Sequence, residues 1–309
     1  MSRRGMENKI YDVIVAGGGP AGYTAALYAA RSGYAVAVVE QLSAGGQMAT
    51  TEKVENYPGF EDGIDGFELG ERMRRGAERF GAVTIYARIK ALDLEPTPKK
   101  IETSSGVLFA RAVVVATGAK PRLLGVEGER ELTGRGVAYC AACDGMRYKG
   151  KTVVVAGGGN SAAADALYLS KICEKVYLVH RRDRLRASKV YFDALKKSGV
   201  EILFDSRVVR LESDRVLTGM TVEDVVKGGR REIPCAALFV AVGRQPETDL
   251  VKGQLALDEN GYITADETTR TSIEGVFAVG DVRAKPLRQI VTAAADGATC
   301  SRFLEEYLK

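Results

Sequence analysis

Two cysteines near the middle of this 309-residue chain have the spacing of a reactive pair. In the stretch YCAACDG (139–145), Cys140 and Cys143 are separated by two residues, and Asp144 follows them directly. Such a pair can supply half of a zinc site, form a disulfide that opens and closes during a reaction, or be incidental. In the second case the small ring lowers the pKa of one thiol, whose thiolate attacks a partner disulfide, and the other thiol resolves the mixed disulfide.

The remaining cysteines give little support to a zinc site, which needs four ligands. Cys173, Cys235 and Cys300 are single and far apart in the chain, and there is no second C-x-x-C. We predict that these three are packing residues and that the protein holds no metal. The one histidine, His180, lies in a different motif, so a carboxylate such as Asp144 is the reasonable group for proton transfer near the pair. Asp144 also suits a turn or helix cap before Gly145.

A repeated segment indicates what lies around the cysteine pair. Residues 13–40 and 153–180 match at 11 of 28 positions without a gap. Each copy passes from a β-branched run through three glycines into a helical Ala/Leu/Tyr-rich stretch and a second apolar run. The pattern predicts a strand, a glycine turn, a helix and a strand, written twice.

The two glycine turns have the spacing of dinucleotide-binding turns. Gly17, Gly19 and Gly22 form G-x-G-x-x-G, and Gly157, Gly159 and Ala162 form G-x-G-x-x-A. Glycines at these positions let backbone N–H groups approach a pyrophosphate at a helix N-terminus. One such turn is weak evidence because glycine also simply joins strands to helices, but two copies in the same phase are specific.

The ends of the two second strands differ in charge. The first copy ends on Glu40, whose carboxylate accepts hydrogen bonds from a ribose and repels a 2′-phosphate. The second ends on His180, followed by Arg181, Arg182, Arg184 and Arg186, and guanidinium groups suit phosphate. Two charged hydrogen bonds would favour NADPH over NADH by roughly a hundredfold. The first site therefore suits FAD and the second NADPH, the pair that hydride transfer through a flavin requires.

The domain organisation follows from two matching strands. VVVATG (113–118) and LFVAVG (238–243) each precede a Pro-containing link. We predict an α/β protein with two Rossmann-like, three-layer dinucleotide-binding domains, the second inserted into the first. Residues 1–118 and 246–309 form the FAD-binding domain, and residues 119–245 form the NADPH-binding domain with the C-x-x-C. A hairpin is expected within 96–111.

Composition limits the class of protein. Hydrophobic residues make up 46%, charged residues 27%, and the net charge of +4 is too small to argue for nucleic acid. The basic N-terminus lacks the apolar region of a signal peptide, and no run approaches the roughly 18 apolar residues of a membrane span. We expect a cytoplasmic protein that binds neither nucleic acid nor membrane.

With these motifs in hand, the chain resembles the low-molecular-weight, bacterial-type thioredoxin reductases over nearly its whole length. The matching pieces in chain order are GGGPAG, GGQMATTEKVENYPG (45–59), ATGA (116–119), CAACDG (140–145), GGGNSA (157–162), HRRDRLRAS (180–188), GVFAVGDVR (275–283) and RQIVTAAADG (288–297). One departure is Ala164 and Asp165, where many relatives carry two acidic residues. That departure bears on contacts on the nicotinamide side and not on the glycine turn.

The resemblance implies a set of cofactor contacts, although turn and cap chemistry also accounts for Gln47, Asn56 and Asp281. The expected FAD residues are Gly17, Gly19, Pro20, Ala21, Gly22, Glu40, Gln41, Gly46, Gln47, Asn56, Ala116, Thr117, Gly118, Gly280, Asp281, Arg288, Gln289 and Ile290. The expected NADPH residues are Gly157, Gly159, Asn160, Ser161, Ala162, His180, Arg181, Arg182 and Arg186.

The resemblance also implies an electron path from NADPH through FAD to Cys140–Cys143 and then to thioredoxin. Cys143 faces the flavin, Cys140 attacks the substrate disulfide, and Asp144 is the acid/base. A homodimer is expected, as is rotation of the domains about residues 118–121 and 243–246. Two alternatives remain open. One is the same chemistry on another small dithiol protein or a small-molecule disulfide, and the other is a flavin-binding redox sensor.

Overall fold

The computed structural model describes residues 9–309 and divides the chain into two compact units. The first unit ends at Lys120 and resumes at Gln245, and the second comprises Pro121–Arg244. The expected boundaries, after residues 118 and 245, lie beside these, and the assignment of one cofactor to each unit stays a prediction. Residues 1–8, part of the segment read as lacking a signal peptide, lie outside the described residues.

The helices and strands follow the repeat seen in the sequence. The strands are β1 (Ile10–Ala16), β2 (Val36–Glu40), β3 (Val83–Tyr86), β4 (Ile89–Asp93), β5 (Lys99–Thr103), β6 (Gly106–Val115), β7 (Ala119–Pro121), β8 (Val137–Ala138), β9 (Thr152–Gly157), β10 (Lys175–Val179), β11 (Glu201–Leu203), β12 (Ser206–Asp214), β13 (Val216–Asp224), β14 (Arg230–Pro234), β15 (Ala237–Ala241), β16 (Arg244–Pro246) and β17 (Val276–Ala278). The helices are α1 (Pro20–Arg31), α2 (Gly66–Glu78), α3 (Ala141–Asp144), α4 (Asn160–Leu169), α5 (Lys189–Lys197) and α6 (Ile290–Leu308).

The first unit is built on a mixed sheet in the order β3-β2-β1-β6-β5-β4, with β17 also paired to β6. β1, β2, β3, β6 and β17 are parallel, whereas β4 and β5 are antiparallel. The hairpin expected within residues 96–111 is confirmed as β5–β6. Because β6 is long enough to pair with β1, β5 and β17, this hairpin continues the parallel sheet.

The buried strands of the first unit have both faces covered, which explains their uninterrupted apolar runs. Val13 and Val15 of β1 face a cluster that includes residues of α1 and α6, and Ile14 faces a second cluster with Leu92 of β4. α1 and α6 approach closely at Gly297, where a Cβ atom would lie 2.4 Å from the Ala21 carbonyl oxygen.

The second unit contains a parallel sheet in the order β11-β10-β9-β15-β8 and an antiparallel sheet β12-β13-β14. Val153 and Val155 of β9 pack with α4 and α5, and the alternate residue Val154 packs with Met220 of β13. The alternation follows from the two-residue period of a strand. Helices, parallel sheet and antiparallel sheet are thus three layers, and the predicted α/β fold with Rossmann-like domains is confirmed.

The connecting strands β7 and β16 pair with each other. Within residues 9–309, no helix is long and apolar enough to cross a membrane.

Candidate functional sites

The first glycine turn joins β1 to α1 and forms a cradle of backbone atoms. A Cβ on Gly17 would lie 2.5 Å from the Ala116 carbonyl oxygen, and one on Gly22 would lie 2.0 Å from the Gly17 carbonyl oxygen. Gly17 has a φ of +112°, which glycine adopts without strain. Gly19 faces open space within 4 Å, and Pro20 begins α1 directly after it. The open N-terminus of α1 fits a pyrophosphate.

Glu40 lies beside this turn and is held in place by backbone N–H groups. Its Oε2 accepts from Gly18 at 2.7 Å, and its Oε1 accepts from Gln41 at 2.7 Å and from Leu42 at 3.1 Å. A carboxylate has about four acceptor sites, so capacity for a ribose hydroxyl remains. Gln41 contributes its backbone here, and its side chain is exposed.

The segment after Gly45 folds back onto the first turn and brings two predicted polar residues into the unit. The Gly45 N–H donates to the Gly18 carbonyl at 2.8 Å. The Gln47 amide donates to the Ala119 carbonyl. The Asn56 amide donates to Gln289 Oε1 at 3.1 Å. Gly46 and Gln47 begin a 3-10 helix, Gly46–Thr50, that lies next to the glycine turn.

The residues between β6 and the link are largely engaged by the returning chain. Thr117 Oγ1 donates to the Glu247 carbonyl at 2.7 Å, and the Glu247 N–H donates to the Gly118 carbonyl at 2.9 Å. Ala116 contributes its carbonyl to the Gly17 contact described above. These positions lie at the carboxyl edge of the sheet, where ligands bind in open α/β folds.

The turn after β17 presents Asp281 on a 3-10 helix, Gly280–Val282. A buried charge cluster that the sequence analysis did not find holds this turn. Asp296 of α6 accepts from the Gly280 N–H at 2.8 Å, from Arg283 at 2.9 and 3.0 Å, and from Lys285 at 2.7 Å. Burial opposes ionisation of Asp296, but hydrogen bonds from the two cations outweigh it, and its pKa is lowered.

The expected flavin-side residues lie at the start of α6. Gln289 is its N-cap and forms a capping box with Thr292. The Arg288 guanidinium lies 3.9 Å from the Tyr262 ring centroid and donates to the Asp281 carbonyl at 3.4 Å. Ile290 packs in a small apolar cluster with Met48. The predicted FAD residues thus gather within one unit, and their glycines and acceptors fit an adenine dinucleotide.

The second glycine turn repeats the geometry of the first. A Cβ on Gly157 would lie 2.4 Å from the Ala241 carbonyl oxygen, and Gly159 again faces open space. Ala162 is fully buried in the first turn of α4. Asn160 Oδ1 accepts from the Ser188 N–H at 2.8 Å, which ties the basic loop to the start of α4 beside Ser161.

A cavity of about 760 Å³ opens at the carboxyl ends of β9, β10 and β15. The cavity is lined by Gly157, His180, Arg181 and Arg186 from the predicted set. Arg122 and Arg207 also line it and were missed, because nothing near them in sequence resembles a nucleotide motif. Arg182 is not among the lining residues, and its carbonyl accepts from the Asp205 N–H at 3.1 Å.

His180 packs against the turn and offers an unused polar atom. A Cβ on Gly158 would lie 2.2 Å from the His180 ring, so glycine is required there. Burial lowers the pKa of His180, and the ring is therefore neutral at pH 7. Its Nε2 is buried without a hydrogen-bond partner among the described residues. A buried unpartnered nitrogen beside arginines fits a phosphate-bearing nucleotide such as NADPH.

Cys140 and Cys143 form a disulfide at the start of α3. Cys140 is the N-cap residue, and its carbonyl accepts from the N–H groups of Cys143 and Asp144 at 3.2 and 3.1 Å. Burial raises the pKa of Asp144, and the charge of Arg147 opposes the rise. Asp144 therefore keeps its proton to a higher pH than an exposed aspartate.

The other three cysteines pack as predicted. Cys235 and Cys300 lie in separate hydrophobic clusters, and Cys173 is half-buried with its Sγ donating to the Tyr148 carbonyl at 3.4 Å. Burial raises the pKa of each thiol, which disfavours the reactive thiolate. No group of three or more His, Cys, Asp or Glu side chains in residues 9–309 is arranged to hold a metal ion.

Comparison with known proteins gives a consistent result. A family model for pyridine nucleotide-disulphide oxidoreductases matches residues 11–297. The thioredoxin reductase of Listeria monocytogenes is 44% identical, with 98% of this chain and 95% of that protein covered. The thioredoxin reductase of Bacillus subtilis is 42% identical, with coverage of 98% and 96%. The crystal structure of thioredoxin reductase from Streptococcus pyogenes has a TM-score of 0.90 at 42% identity, covering 98% of this chain and 99% of that one.

A family match over this length, together with two glycine turns and a disulfide, defines a flavoprotein class of dinucleotide-dependent oxidoreductases. The chain belongs to the pyridine nucleotide-disulphide oxidoreductase family, among its thioredoxin reductases. The resemblance found in the sequence is thereby confirmed.

Proposed function

We propose that this protein is an NADPH-dependent thioredoxin reductase that passes electrons from NADPH through FAD to the Cys140–Cys143 disulfide and on to thioredoxin. One observation carries the proposal. The disulfide lies in the same compact unit as the second glycine turn and an arginine-lined cavity, in a chain whose other unit holds the first glycine turn. The cofactors, when bound, supply hydride transfer and two-electron reduction.

The residues that hold each cofactor are assigned from the site geometry. The first glycine turn, Glu40, the segment from Gly46 to Asn56, and residues 280–290 bind FAD. The second glycine turn, His180, Arg181 and Arg186 bind NADPH. We also propose that Arg182, which is exposed, contacts the 2′-phosphate from the solvent side. The tight backbone approach at Gly17 and Gly157 supports both assignments.

The dithiol carries the second half of the reaction. The Cys140 thiolate attacks one sulfur of the thioredoxin disulfide, so that a mixed disulfide forms and the substrate bond breaks. The departing thiolate takes a proton from Asp144, whose raised pKa favours the protonated form. The Cys143 thiol then gives its proton to the Asp144 carboxylate and attacks Cys140, which restores the disulfide. The second sulfur of thioredoxin leaves as a thiolate and takes that proton from Asp144. Two electrons and two protons leave the enzyme in each cycle.

We further propose a cytoplasmic homodimer that binds neither membrane nor nucleic acid. The net charge of +4 supports the statement about nucleic acid, and the family resemblance supports the dimer and the location. Light scattering on the purified holoenzyme tests the dimer, and a monomer mass at micromolar concentration would refute it.

The central experiment adds NADPH to the yellow protein under argon and then supplies oxidised thioredoxin. Wild type is expected to bleach and then to recover its colour. Cys140→Ser should still bleach but reduce no thioredoxin, because the attacking sulfur is gone. Cys173→Ser is the matched control, since serine can donate to the same Tyr148 carbonyl, and it should behave as wild type.

Colour that persists with NADPH in the wild type would exclude the electron path and favour a redox sensor. If bleaching is normal but turnover is faster with a glutaredoxin-like protein or a small-molecule disulfide, the acceptor is wrong while the flavin chemistry stands. Replacing NADPH by NADH checks the nucleotide assignment, and we expect a rate lower by about a hundredfold at subsaturating nucleotide.

A further inference from the structure

Glu129 is a buried carboxylate that no part of the proposed mechanism uses. Its residue is 2% exposed. Oε1 accepts from the Leu124 N–H at 3.0 Å and from the Tyr139 hydroxyl at 3.1 Å, and Oε2 accepts from the Gly125 N–H at 2.8 Å. A buried carboxylate is stable only when its oxygens are hydrogen-bonded in this way. Its three donors come from two different parts of the unit.

The first two donors belong to the wall of the nucleotide cavity. Leu124 and Gly125 both line it, together with Arg122. The Arg122 N–H donates to the Gly243 carbonyl at 3.0 Å and anchors the start of this wall, and the Glu129 N–H closes a turn by donating to the Val126 carbonyl at 3.2 Å. Between Arg122 and this turn, the Glu129 carboxylate holds the backbone through the two adjacent N–H groups of Leu124 and Gly125.

The third donor leads to the disulfide. Tyr139 directly precedes Cys140 and follows β8. Burial and the neighbouring Glu129 raise the pKa of Tyr139 to about 12, so its hydroxyl keeps its proton and donates to the carboxylate at neutral pH. The same side chain therefore fixes the cavity wall and the residue beside the attacking cysteine.

We propose that Glu129 is a positioning residue that holds the Leu124–Gly125 wall of the nucleotide cavity and the segment entering Cys140 in one fixed arrangement. The inference rests on the proposed function, because it takes the cavity as the NADPH site. Loss of the carboxylate would loosen the wall and free Tyr139, while the FAD site would be unaffected.

The test uses Glu129→Gln in the holoenzyme, with Glu131→Gln as the matched control because Glu131 is exposed in the same segment. The probe is adenosine 2′,5′-bisphosphate, which carries the adenosine and 2′-phosphate of NADPH but cannot transfer a hydride. Calorimetry should show about tenfold weaker binding by Glu129→Gln, since one backbone N–H now faces an amide NH₂. The KM for NADPH should rise by the same factor with kcat within about twofold, because uniform binding is lost. Glu131→Gln should match wild type.

Tyr139→Phe tests the link to Cys140 separately from the effect on the cavity wall. It keeps both backbone bonds to Glu129, so the bisphosphate should bind within about twofold of wild type. The rate at which iodoacetamide alkylates reduced Cys140 should rise at least about threefold in Tyr139→Phe, because the residue that precedes Cys140 has lost its hydrogen bond to Glu129. Flavin content and melting temperature report whether each variant is folded.

The outcomes distinguish the inference from the function on which it rests. Wild type that fails to bind the bisphosphate would remove the NADPH assignment itself. Wild type that binds it while Glu129→Gln binds equally well would overturn the positioning role alone. Unchanged alkylation of Cys140 in Tyr139→Phe would overturn the link to the redox motif.

Discussion

Replacing Asp296 by alanine should destabilise the first unit, to which we assign FAD in the proposed function, more than any exposed charge change. The side chains of Asp296, Arg283 and Lys285 are 9%, 10% and 5% exposed, so water screens their interactions little. Removal of the carboxylate leaves the Gly280 N–H without its acceptor and leaves the two buried cations with backbone carbonyls but no counter-charge in the cluster. Loss of one partner from a buried charge pair costs about 3–5 kcal/mol.

The assay is the temperature at which FAD fluorescence appears on heating the holoenzyme, because release of the flavin reports unfolding of that unit. For proteins of about 150–250 residues each kcal/mol corresponds to about 2–4 °C, so we expect a fall of at least about 6 °C. Asp296→Asn keeps an acceptor for the Gly280 N–H but no charge, and it should fall in between. Asp296→Asn also tests the prediction if the alanine variant does not fold.

Glu306→Ala is the matched control on the same helix. Glu306 pairs with Arg270 at 2.9 Å, but its side chain is 39% exposed, and such surface pairs contribute under about 1 kcal/mol. Equal shifts for the Asp296 and Glu306 variants would show that the buried cluster does not stabilise the turn.

The pH dependence gives a second check on Asp296. Its folded pKa is lowered, so its contribution to stability is complete above the unfolded pKa of about 3.9 and is lost as pH falls through the folded value. The difference between wild type and Asp296→Ala should therefore shrink below about pH 4. A difference that stays constant to pH 3 would mean that the charge of Asp296 is not the cause.

Three further predictions concern the first glycine turn, the arginine-lined cavity and Asp165 of α4. Gly22→Ala should purify without FAD, because its Cβ would lie 2.0 Å from the Gly17 carbonyl oxygen. The control Gly76→Ala, whose Cβ would have no atom within 4 Å, should keep its flavin and gain about 1 kcal/mol of helix stability, as absorbance spectra and melting curves would show. Arg186→Ala should raise the KM for NADPH about tenfold and leave the KM for NADH unchanged. Arg184 lies outside the cavity lining, so Arg184→Ala should change neither KM, and equal effects of the two variants would contradict the proposed phosphate contact. Burial raises the pKa of Asp165 to about 6, against the opposing charge of Arg244, so the folded state binds this proton more tightly than the unfolded state does. The melting temperature should therefore rise as the pH is lowered from 7 to 5, and Asp165→Asn should not show that rise. The same pH dependence in Asp165→Asn and wild type would contradict the raised pKa.

The two strand–turn–helix–strand units were predictable from the sequence because their signals are local. β1 ends before Gly17, α1 begins at Pro20, and β2 ends on Glu40, as the run of apolar residues and glycines indicates. The second copy follows the same rule, with α4 beginning at Asn160. Glycine and β-branched residues limit the backbone at their own positions, so no distant partner is needed to read them.

The reason why Gly17 must be glycine was not predictable in full. The turn itself is local, but the atom that excludes a side chain is the Ala116 carbonyl, which reaches it only because β6 pairs with β1. In the same way Arg122 and Arg207 join the cavity from segments without a nucleotide motif. Such approaches depend on strand order, which the local sequence does not encode.

Residue types and short spacing were enough to predict the two glycine turns with their flanking strands and helices, and to single out the pair Cys140–Cys143. The tertiary structure alone decided which buried carboxylates matter. Glu129 and Asp296 look like ordinary surface acids in the sequence, and their roles come from donors that the fold delivers, namely Gly125 and Tyr139 for one and Gly280 and Arg283 for the other. The physical reason is that burial makes a carboxylate depend on every donor around it, and those donors are neighbours only after folding.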